Sequence, residues 1–512
     1  MRVEPLTQVE CVLWVPPWPR DARGAKISID GVPQTKEVGI RIGRLHRVCP
    51  VLYVSRGINR DDVEKKLYAK KSSSAFYYNQ EGMIARSDEE VAEWPKEWLS
   101  YTPYDGIMVQ EREWREAPEA VQEAVREYVY AGGALWLVGT NRLPGWGLVR
   151  QEGEGRTGAW QMAWGVAVSG GGAYGTAGFG TVLALPANDP KEFRSNLVSF
   201  LRRQVKKNAN VWDVLRDLEQ LHARFPVARA ITVPFRWLLG LSVMFAAVIG
   251  PVNILVLQRL KRRIWLLWTT PALAALATAG VVVYALVSEG TRPLLRMSSV
   301  TIVDQRTHHA VTAGTMGYYF PMVPGGGFEF ERTTEISPAA STRYRARSTG
   351  PVIMDWTRRQ HVAGRLARAR IPLYLRQRGA GKRRERMVFT ARGGGVEALN
   401  GLGAPVKLLW YAGADGSVWY ASNIAAGATA RLERQELARA RGSLMLLPMV
   451  LSGYWETMAG EIAKEAQKYL EPGTYIAVLD DDPFFDTGYR GAVRERRAES
   501  VVIGVTEGGQ NE

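Results

Sequence analysis

Nucleophilic catalysis needs a cysteine or serine on a tight turn after a strand, with a histidine nearby to accept its proton. The chain has two cysteines, Cys11 and Cys49, and neither lies in a Gly-x-Cys-x-Gly sequence. No Gly-x-Ser-x-Gly sequence replaces it. The strand end where such a turn would be expected reads Val138-Gly139-Thr140-Asn141, and Thr140 has no histidine near it in the sequence. We therefore predict no catalytic residues and a protein that is not an enzyme.

Metal binding has equally little support. The five histidines lack the HExxH and HxH spacings of zinc sites. His308 and His309 are adjacent, so on a strand their side chains would point to opposite faces. Asp480 to Asp482, with Asp486, could offer oxygen ligands to a hard cation, but a turn stopped by Pro483 explains them more simply. The sequence predicts no metal site.

The stretch from Gly170 to Gly180 has the composition of a phosphate-binding loop. It lacks the Gly-Lys-Ser or Gly-Lys-Thr ending of such a loop, and its glycines precede a strand instead of opening a helix. We interpret it as a turn before a strand and predict no bound cofactor.

Strands and helices alternate in the first part of the chain. Val48 to Ser55 is a continuous apolar run typical of a buried parallel strand, and Tyr104 to Gln110 is a second strand. Ala117 to Tyr130 has apolar residues at helical spacing, Gly132-Gly133 ends that helix, and Ala134 to Gly139 is a third strand. This βαβ succession predicts an α/β domain with a flavodoxin-like parallel sheet.

Two long apolar runs follow in the middle of the chain. The first, Phe235 to Leu257, carries one charge, on Arg236, and the second, Ile264 to Val287, carries none. Each is long enough to cross a bilayer as a helix. The sequence therefore predicts a transmembrane helical hairpin, with a buried helix pair in a soluble core as the alternative.

The residues around these runs favour the same interpretation. The link between them is basic, and tryptophans at both ends match the aromatic belts of membrane proteins. Pro251 and Pro271 fall at similar depth and would kink both helices. Asn253, the single amide of the first run, is placed to hydrogen-bond to Thr269 or Thr270. The residues predicted to set anchoring and topology are Arg259, Lys261, Arg262, Arg263, Trp237, Trp265, Trp268, Pro251, Asn253 and Pro271.

The basic link predicts on which side of the membrane the two flanks lie, that is, the parts of the chain before and after the apolar runs. Short basic loops stay in the cytoplasm, so both large flanks of a two-span inner-membrane protein would lie outside it. Met1 to Arg20 is nevertheless not a signal peptide, since it lacks a basic region followed by a continuous apolar core. Either the start is truncated or mis-assigned, or the flanks are cytosolic, and we favour truncation. Cys11 and Cys49 could pair in an exported flank or remain separate thiols.

The second flank alternates short apolar runs with glycine and proline turns, which predicts a β-rich domain. The net charge of the whole chain is +15, and the strongest basic run lies between Arg358 and Arg386. Its arginines alternate with aliphatic residues, so a strand would expose the arginines as a solvated face. The alternative is contact with an anionic lipid or wall polymer, with nucleic acid not expected. The residues of that possible contact are Arg368, Arg370, Arg376 and Arg378.

The succession VLYVS, YDGIMV, AGGALWLVG and YGTAGFGTVLAL resembles the class I glutamine amidotransferase-like ectodomain of a group of bacterial two-span membrane proteins. In that group a helix, a proline and a hairpin with GPVN and a basic link follow the domain. The matching segments here are Val211 to Leu221, Pro234, Gly250 to Asn253, and Arg259 to Arg263. The resemblance implies an α/β ectodomain, a membrane anchor and a C-terminal β domain. It also suggests MoxR-type ATPases and von Willebrand A-type proteins as partners.

These features divide the chain into a short β element (1–45), a degenerate amidotransferase-like domain (46–206), a connecting helix (207–233), a transmembrane hairpin (234–288), a β-rich domain (289–435) and a C-terminal α/β segment (436–512). We predict a non-enzymatic, membrane-anchored scaffold or assembly component of the bacterial cell envelope, with the lipid bilayer and other envelope proteins as partners. The alternatives are a hydrolase or amidotransferase-like enzyme and an accessory subunit of a membrane transporter.

Overall fold

A computed structural model describes residues 25–29, 32–38, 51–68, 82–146, 149–150, 166–168, 172–195, 197–203, 222, 225–227, 235–261, 263–338, 352–356, 358–364, 366–450 and 470–506. Cys11, Cys49 and Arg262 lie outside these ranges, as does the predicted connecting helix from Val211 to Leu221. The predictions that involve them are therefore not addressed by the structure.

The first unit alternates strands and helices. Its strands are β1 (Ala25–Ile29), β2 (Val32–Val38), β3 (Val51–Val54), β4 (Met83–Arg86), β5 (Gly106–Gln110), β6 (Ala134–Val138), β7 (Val149–Arg150), β8 (Val166–Val168), β9 (Gly172–Ala177) and β10 (Gly180–Leu185). Its α-helices are α1 (Arg60–Leu67), α2 (Glu111–Glu116) and α3 (Glu119–Tyr130). Short 3-10 turns cover Val91–Glu93, Trp98–Tyr101 and Pro190–Glu192. β1 and β2 form a separate antiparallel hairpin.

The central sheet of this unit has the order β4-β3-β5-β6-β10-β9-β7, and its first five strands run parallel. Helix α3 crosses from β5 to β6 and buries Val121, Val125 and Val129 against the sheet. The predicted βαβ unit is therefore present. Numbered along the chain, the parallel strands follow the order 2-1-3-4-5 of a doubly wound sheet.

The glycine-rich stretch was interpreted as a turn, but most of it forms strand β9, and only Gly178 and Phe179 make the turn of the antiparallel hairpin with β10. Gly178 has φ +59°, and a Cβ there would lie 2.7 Å from the carbonyl oxygen of Tyr130. At Gly180 a Cβ would lie 2.0 Å from the carbonyl oxygen of Val129. Glycine is required at these two positions because the hairpin lies against the end of α3.

The apolar runs form helices, but not the predicted spans. They comprise α4 (Phe235–Ala247), a π-helical segment (Val248–Val252), α5 (Asn253–Arg259), a 3-10 turn (Arg263–Trp265) and α6 (Leu266–Glu289). The first run is thus divided, with Pro251 inside the π-helical segment. Within the described part of the chain, no helix has the length and apolar character needed to cross a membrane. The predicted transmembrane hairpin and two-span inner-membrane localisation are therefore wrong.

One contact predicted within this segment is confirmed. The Asn253 Nδ2 donates to Thr269 Oγ1 at 3.0 Å and lies 3.5 Å from Thr270 Oγ1. The Thr269 hydroxyl lies 3.1 Å from Asn253 Oδ1. Asn253 is buried, so these bonds satisfy an amide that would be costly to desolvate unpaired. They hold α5 against α6.

The second unit is built mainly of strands. They are β11 (Leu294–Asp304), β12 (His309–Tyr319), β13 (Phe328–Phe330), β14 (Thr334–Pro338), β15 (Val352–Asp355), β16 (Gln360–Gly364), β17 (Leu373–Lys382), β18 (Arg386–Arg392), β19 (Gly395–Gly401), β20 (Val406–Ala412), β21 (Val418–Ile424), β22 (Thr429–Gln435), β23 (Thr474–Leu479) and β24 (Glu495–Val505), with helix α7 (Leu437–Val450). An 11-stranded sheet has the order β14-β17-β12-β11-β24-β23-β20-β21-β22-β19-β18.

This sheet corrects the predicted fold class and the predicted domain order. Strands predominate in the described residues, and helices are few. Strands β23 and β24, from the segment predicted as a separate C-terminal α/β element, lie in the middle of the sheet, where β24 pairs with β11. The chain thus returns at its end to the centre of a sheet begun about two hundred residues earlier.

The two units share one hydrophobic core. Val121 and Val125 of α3 belong to the same buried cluster as Val311, Ala313 and Ala380 of the large sheet. Polar contacts reinforce the junction, and the indole of Trp98 donates to the carbonyl oxygen of Thr333 at 3.0 Å. The α/β unit is thus packed onto the second unit through one face of its helix layer.

Candidate functional site

The order of the parallel strands defines where a ligand site would lie. After β4 the chain crosses back over β3 to form β5, so the direction of winding reverses between β3 and β5. Doubly wound sheets bind ligands in the crevice outside the carboxyl ends of the strands at this reversal. In this chain the crevice lies between the loop after β3 and the start of α2.

A carboxylate of the chain itself lies in that crevice. Glu113 on α2 accepts a hydrogen bond from the Ser55 hydroxyl at 2.5 Å and from the Gly57 backbone N–H at 2.9 Å. Gln110 completes the contact by donating to the carbonyl oxygen of Gly57 at 2.8 Å. A Cβ on Gly57 would lie 2.8 Å from Glu113 Oε1. The hydrogen-bond donors of the loop after β3 are therefore bound to the carboxylate of Glu113, a residue of the chain itself.

Two further residues join the loops around this crevice. Arg86, which ends β4, donates to the carbonyl oxygen of Arg56 at 2.7 Å. The Arg56 guanidinium lies 3.7 Å from Glu90, and both side chains are mostly exposed. Ser55 by contrast is fully buried. The crevice thus has a buried hydroxyl at its base and an exposed ion pair at its rim.

The strand end considered for a nucleophilic turn has a different role. The backbone N–H groups of Gly139 and Thr140 both donate to the carbonyl oxygen of Leu185, at 2.7 and 3.0 Å. Gly139 has φ +95°, and the Thr140 hydroxyl accepts from the N–H of Arg142 at 3.2 Å. Thr140 is therefore a turn residue that links the ends of β6 and β10.

The aspartates considered for a cation are spread over separate partners. Asp480 pairs with Lys407 at 2.6 Å, and Asp481 pairs with Arg496 at 2.8 Å. Asp486 accepts from the backbone N–H of Glu331 at 2.6 Å. Asp482 is buried within hydrogen-bond distance of the Ser299 hydroxyl, which also lies 2.9 Å from Ser500 Oγ. In the described residues no group of three or more histidine, cysteine or acidic side chains could hold a metal ion.

Asp482 makes stability depend on pH. Burial raises the pKa of its carboxyl to about 6, above the usual 3.8. The contribution of Asp482 to the free energy of unfolding is therefore fully present below pH 3.8, where the carboxyl is protonated in both the folded and the unfolded state. This contribution is lost as the pH rises through about 6. We expect Asp482→Asn to remove that loss, so that the variant is the more stable protein above pH 6. Denaturant unfolding from pH 4 to pH 8 measures the difference, since the variant stays neutral over roughly this range.

The control for this comparison is Asp480→Asn, which removes an exposed carboxylate from the same loop. We expect no comparable divergence from the wild-type pH profile, because solvent screens the pair with Lys407. Parallel profiles of the wild type and Asp482→Asn would contradict the assignment of this pH dependence to Asp482.

The adjacent histidines do not lie on one strand as considered, because only His309 belongs to β12; His308 is exposed and His309 is buried. His308 lies in the turn before β12 with φ +54°. Burial lowers the pKa of His309, and the ring of Tyr130 meets its imidazole edge-on at 6.3 Å. His309 therefore lies at the junction of the two units as a mainly neutral ring.

The four arginines of the predicted anionic contact lie in different environments. Arg370 is exposed, with φ +61°, and Arg368 and Arg376 are partly buried. Arg378 is buried at the junction of the two units, where it pairs with Glu335 and donates to the carbonyl oxygen of Ala131 at 3.2 Å. Contact with an anionic surface stays a prediction for the first three, whereas Arg378 has an internal role.

The residues predicted to set membrane topology lie on the helical segment. Arg259 and Lys261 are exposed, as are Pro251, Trp265, Trp268 and Pro271. Trp237 lies within α4, and Arg263 begins the 3-10 turn before α6. Their predicted function at a bilayer interface is not retained, because the predicted spans are absent from the described residues.

The sequence interpretation missed Ser55 and Glu113, although one pattern could have indicated them. Both residues follow an apolar strand closely, Ser55 after β3 and Glu113 after β5. In a parallel sheet the carboxyl ends of neighbouring strands meet at one edge. The order of the strands was needed to show that these two ends are adjacent.

Comparisons with known proteins do not identify the chain. No protein-family model matches the sequence, and a search of curated proteins finds no match. Among solved structures, the yeast delta-COP-I mu-homology domain has a TM-score of 0.19 and 9% sequence identity, over 42% of this chain and 95% of that chain. The same domain complexed with Dsl1 WxWxV peptide has a TM-score of 0.19 and 9% identity, over 42% and 96%. At this level of similarity neither structure supports a shared fold or function.

Proposed function

We propose that the protein is a non-enzymatic scaffold or assembly component that acts through contacts with other proteins. The observation that carries this proposal is the position of Glu113. Its carboxylate binds the Ser55 hydroxyl and the Gly57 N–H in the crevice where a ligand of a doubly wound sheet would sit. The α/β unit then serves as a structural module whose ligand crevice is closed by the chain itself.

The packing of the α/β unit favours the same conclusion. Its α3 face is committed to the core shared with the large sheet. Glu123 on α3 also pairs with Lys382 of β17 at 3.8 Å, and burial next to Glu123 raises the pKa of Glu127 to about 7. A helix layer used in this way fixes the two units relative to each other. A rigid two-unit body of this kind can present several surfaces to partners at once.

The free energy of unfolding of Glu113→Ala tests the structural role of this carboxylate. The substitution leaves the buried Ser55 hydroxyl and the Gly57 N–H without a hydrogen-bond acceptor. We therefore expect the free energy of unfolding to fall by about 1–3 kcal/mol. Catalytic groups are often held at a cost to stability, and their removal then stabilises the protein. Chemical denaturation of the two proteins distinguishes these cases, and a more stable Glu113→Ala variant would contradict the proposal.

One specific observation favours the hydrolase alternative. The Ser55 hydroxyl lies 2.5 Å from a carboxylate that could polarise it. A fluorophosphonate probe reacts with activated serines, and we expect it not to label Ser55. Labelling that is lost in Ser55→Ala but kept in Ser87→Ala would overturn the proposal. Ser87 is the matched control because it is also buried and also follows a parallel strand, β4.

The scaffold role itself is tested with purified partners. The family resemblance suggests MoxR-type ATPases and von Willebrand A-type proteins as the first to be examined. We expect one of them to bind the full chain in sedimentation experiments, with equal affinity for the wild type and Glu113→Gln. Dependence of binding on Glu113 would instead assign the crevice to the recognition of that partner.

A further inference from the structure

A short segment that precedes the apolar helices is bound in a groove of the large sheet. The Phe225 side chain is fully buried, and Val227 is 8% exposed, although Pro226 between them is exposed. The walls of the groove come from β11, β12 and β17. The segment buries its first and third side chains, as a peptide bound in a groove does.

Side chains of the groove recognise the backbone of the segment as well. The Tyr374 hydroxyl donates to the carbonyl oxygen of Phe225 at 3.0 Å, and Arg296 Nη1 donates to the carbonyl oxygen of Pro226 at 3.1 Å. The Arg296 guanidinium also lies 4.5 Å from the centre of the Phe225 ring. Successive carbonyl groups are thus each bound by a side chain of the sheet, and the aromatic ring is bound by a cation–π contact.

The position of Val227 depends on a glycine of β12. A Cβ on Gly317 would lie 2.3 Å from Val227 Cγ2 and 2.8 Å from the Tyr374 ring. Gly317 therefore forms the floor of a pocket that accepts a small branched side chain. A larger residue at this position would close the pocket.

We propose that this groove, defined by Arg296, Gly317 and Tyr374, is a peptide-recognition site, and that its ligand class is an aromatic–proline–aliphatic segment. The chain occupies the site in cis with Phe225-Pro226-Val227. This proposal does not depend on the proposed scaffold function, because its contacts lie far from Ser55 and Glu113 in the sequence and involve neither residue.

The site joins the two ends of the helical segment. Pro226 precedes helices α4 to α6, and Arg296 follows them on β11, so the bond between them closes a loop of about seventy residues at its base. His222 strengthens the connection, since its Nδ1 lies 2.9 Å from the Tyr374 hydroxyl. The bound segment, which precedes the helices in the sequence, is therefore joined to β11, which follows them.

Binding in trans tests the site directly. The full chain with Phe225→Ser and Val227→Ser leaves the groove without its own apolar side chains. A fluorescein-labelled synthetic peptide with the sequence from Leu221 to Ile231 is then added, and fluorescence anisotropy is measured. We expect this variant to bind the peptide at least ten times more tightly than the wild type, whose groove is already filled.

Two controls define specificity. Gly317→Val in the emptied variant should abolish binding, and a peptide with serine in place of its phenylalanine and valine should not bind. The proposal is overturned if the emptied variant keeps the wild-type circular dichroism spectrum and does not bind the peptide. Equal binding to the Gly317→Val variant would also overturn it.

Hydrogen exchange in the otherwise intact chain tests the site when the emptied variant does not fold. Gly317→Ala introduces the Cβ that clashes with Val227, and we expect amide exchange across residues 222–227 to be at least ten times faster. Gly379→Ala on the adjacent β17 is the matched control, since a Cβ there meets no atom within 4 Å. Unchanged exchange in Gly317→Ala relative to this control would overturn the proposal.

Discussion

Arg378→Met is expected to lower the free energy of unfolding by about 3–5 kcal/mol, because it leaves the carboxylate of Glu335 buried without its partner. The side chains of Arg378 and Glu335 are only 6% and 14% exposed. The arginine also donates to the carbonyl oxygen of Ala131 and lies over the Trp98 ring at 5.9 Å. The loss therefore falls on the junction of the two units, and chemical denaturation measures it.

The matched control is Arg332→Met. Arg332 pairs with Glu97 at 2.8 Å across the same junction, but both side chains are 55% exposed. Solvent screening limits such a pair to less than about 1 kcal/mol. The double variant Arg378→Met/Glu335→Met should recover most of the lost stability, since no unpaired buried charge remains. Equal effects of the Arg378 and Arg332 single variants would contradict the internal role of Arg378.

Asn400→Ala is expected to cost at least about 3 kcal/mol, because one side chain satisfies four backbone groups. The two hydrogens of its Nδ2 are shared among the carbonyl oxygens of Ala404, Ile424 and Ala425, which lie 2.9, 3.2 and 3.1 Å from the nitrogen. Its Oδ1 accepts from the N–H of Leu402 at 3.1 Å. Asn400 is fully buried, so water cannot replace these bonds in the folded state. In the Asn400→Ala variant, the loops after β19 and β21 lose the side chain that links them by hydrogen bonds.

Asn400→Asp refines this prediction. The carboxylate keeps the size of the amide but places a negative charge among three carbonyl oxygens and removes the donor that they need. We expect this variant to be at least as unstable as Asn400→Ala at neutral pH. The exposed Asn188→Ala serves as the control and should change the free energy of unfolding by less than about 0.5 kcal/mol. Wild-type stability in both Asn400 variants would contradict the prediction.

Local patterns predicted several elements correctly. Helical spacing from Ala117 to Tyr130 and the apolar run from Ala134 to Gly139 correspond to α3 and β6, and the parallel pairing of β5 and β6 is observed. These features depend on neighbours close in the chain, so spacing and residue type suffice to predict them.

The arginine alternation of β17 shows where such patterns stop. The predicted alternation is present only in part, since Leu373 and Leu375 are buried but Ile371 is exposed and lies before the strand. The opposite face was expected to meet solvent, but α3 of the α/β unit covers part of it, and Arg378 is consequently internal. A period of two residues distinguishes the faces of a strand but does not specify what covers each face.

The sequence by itself determined the alternating α/β elements of the first unit and the strand-rich character of the second. Only the tertiary structure decided that β24 pairs with β11, that Glu113 occupies the crevice beside Ser55, and that the first apolar run is divided around Pro251. The reason is the range of the interactions. Helices and turns form between near neighbours, whereas sheet order and crevice contacts join residues far apart in the chain.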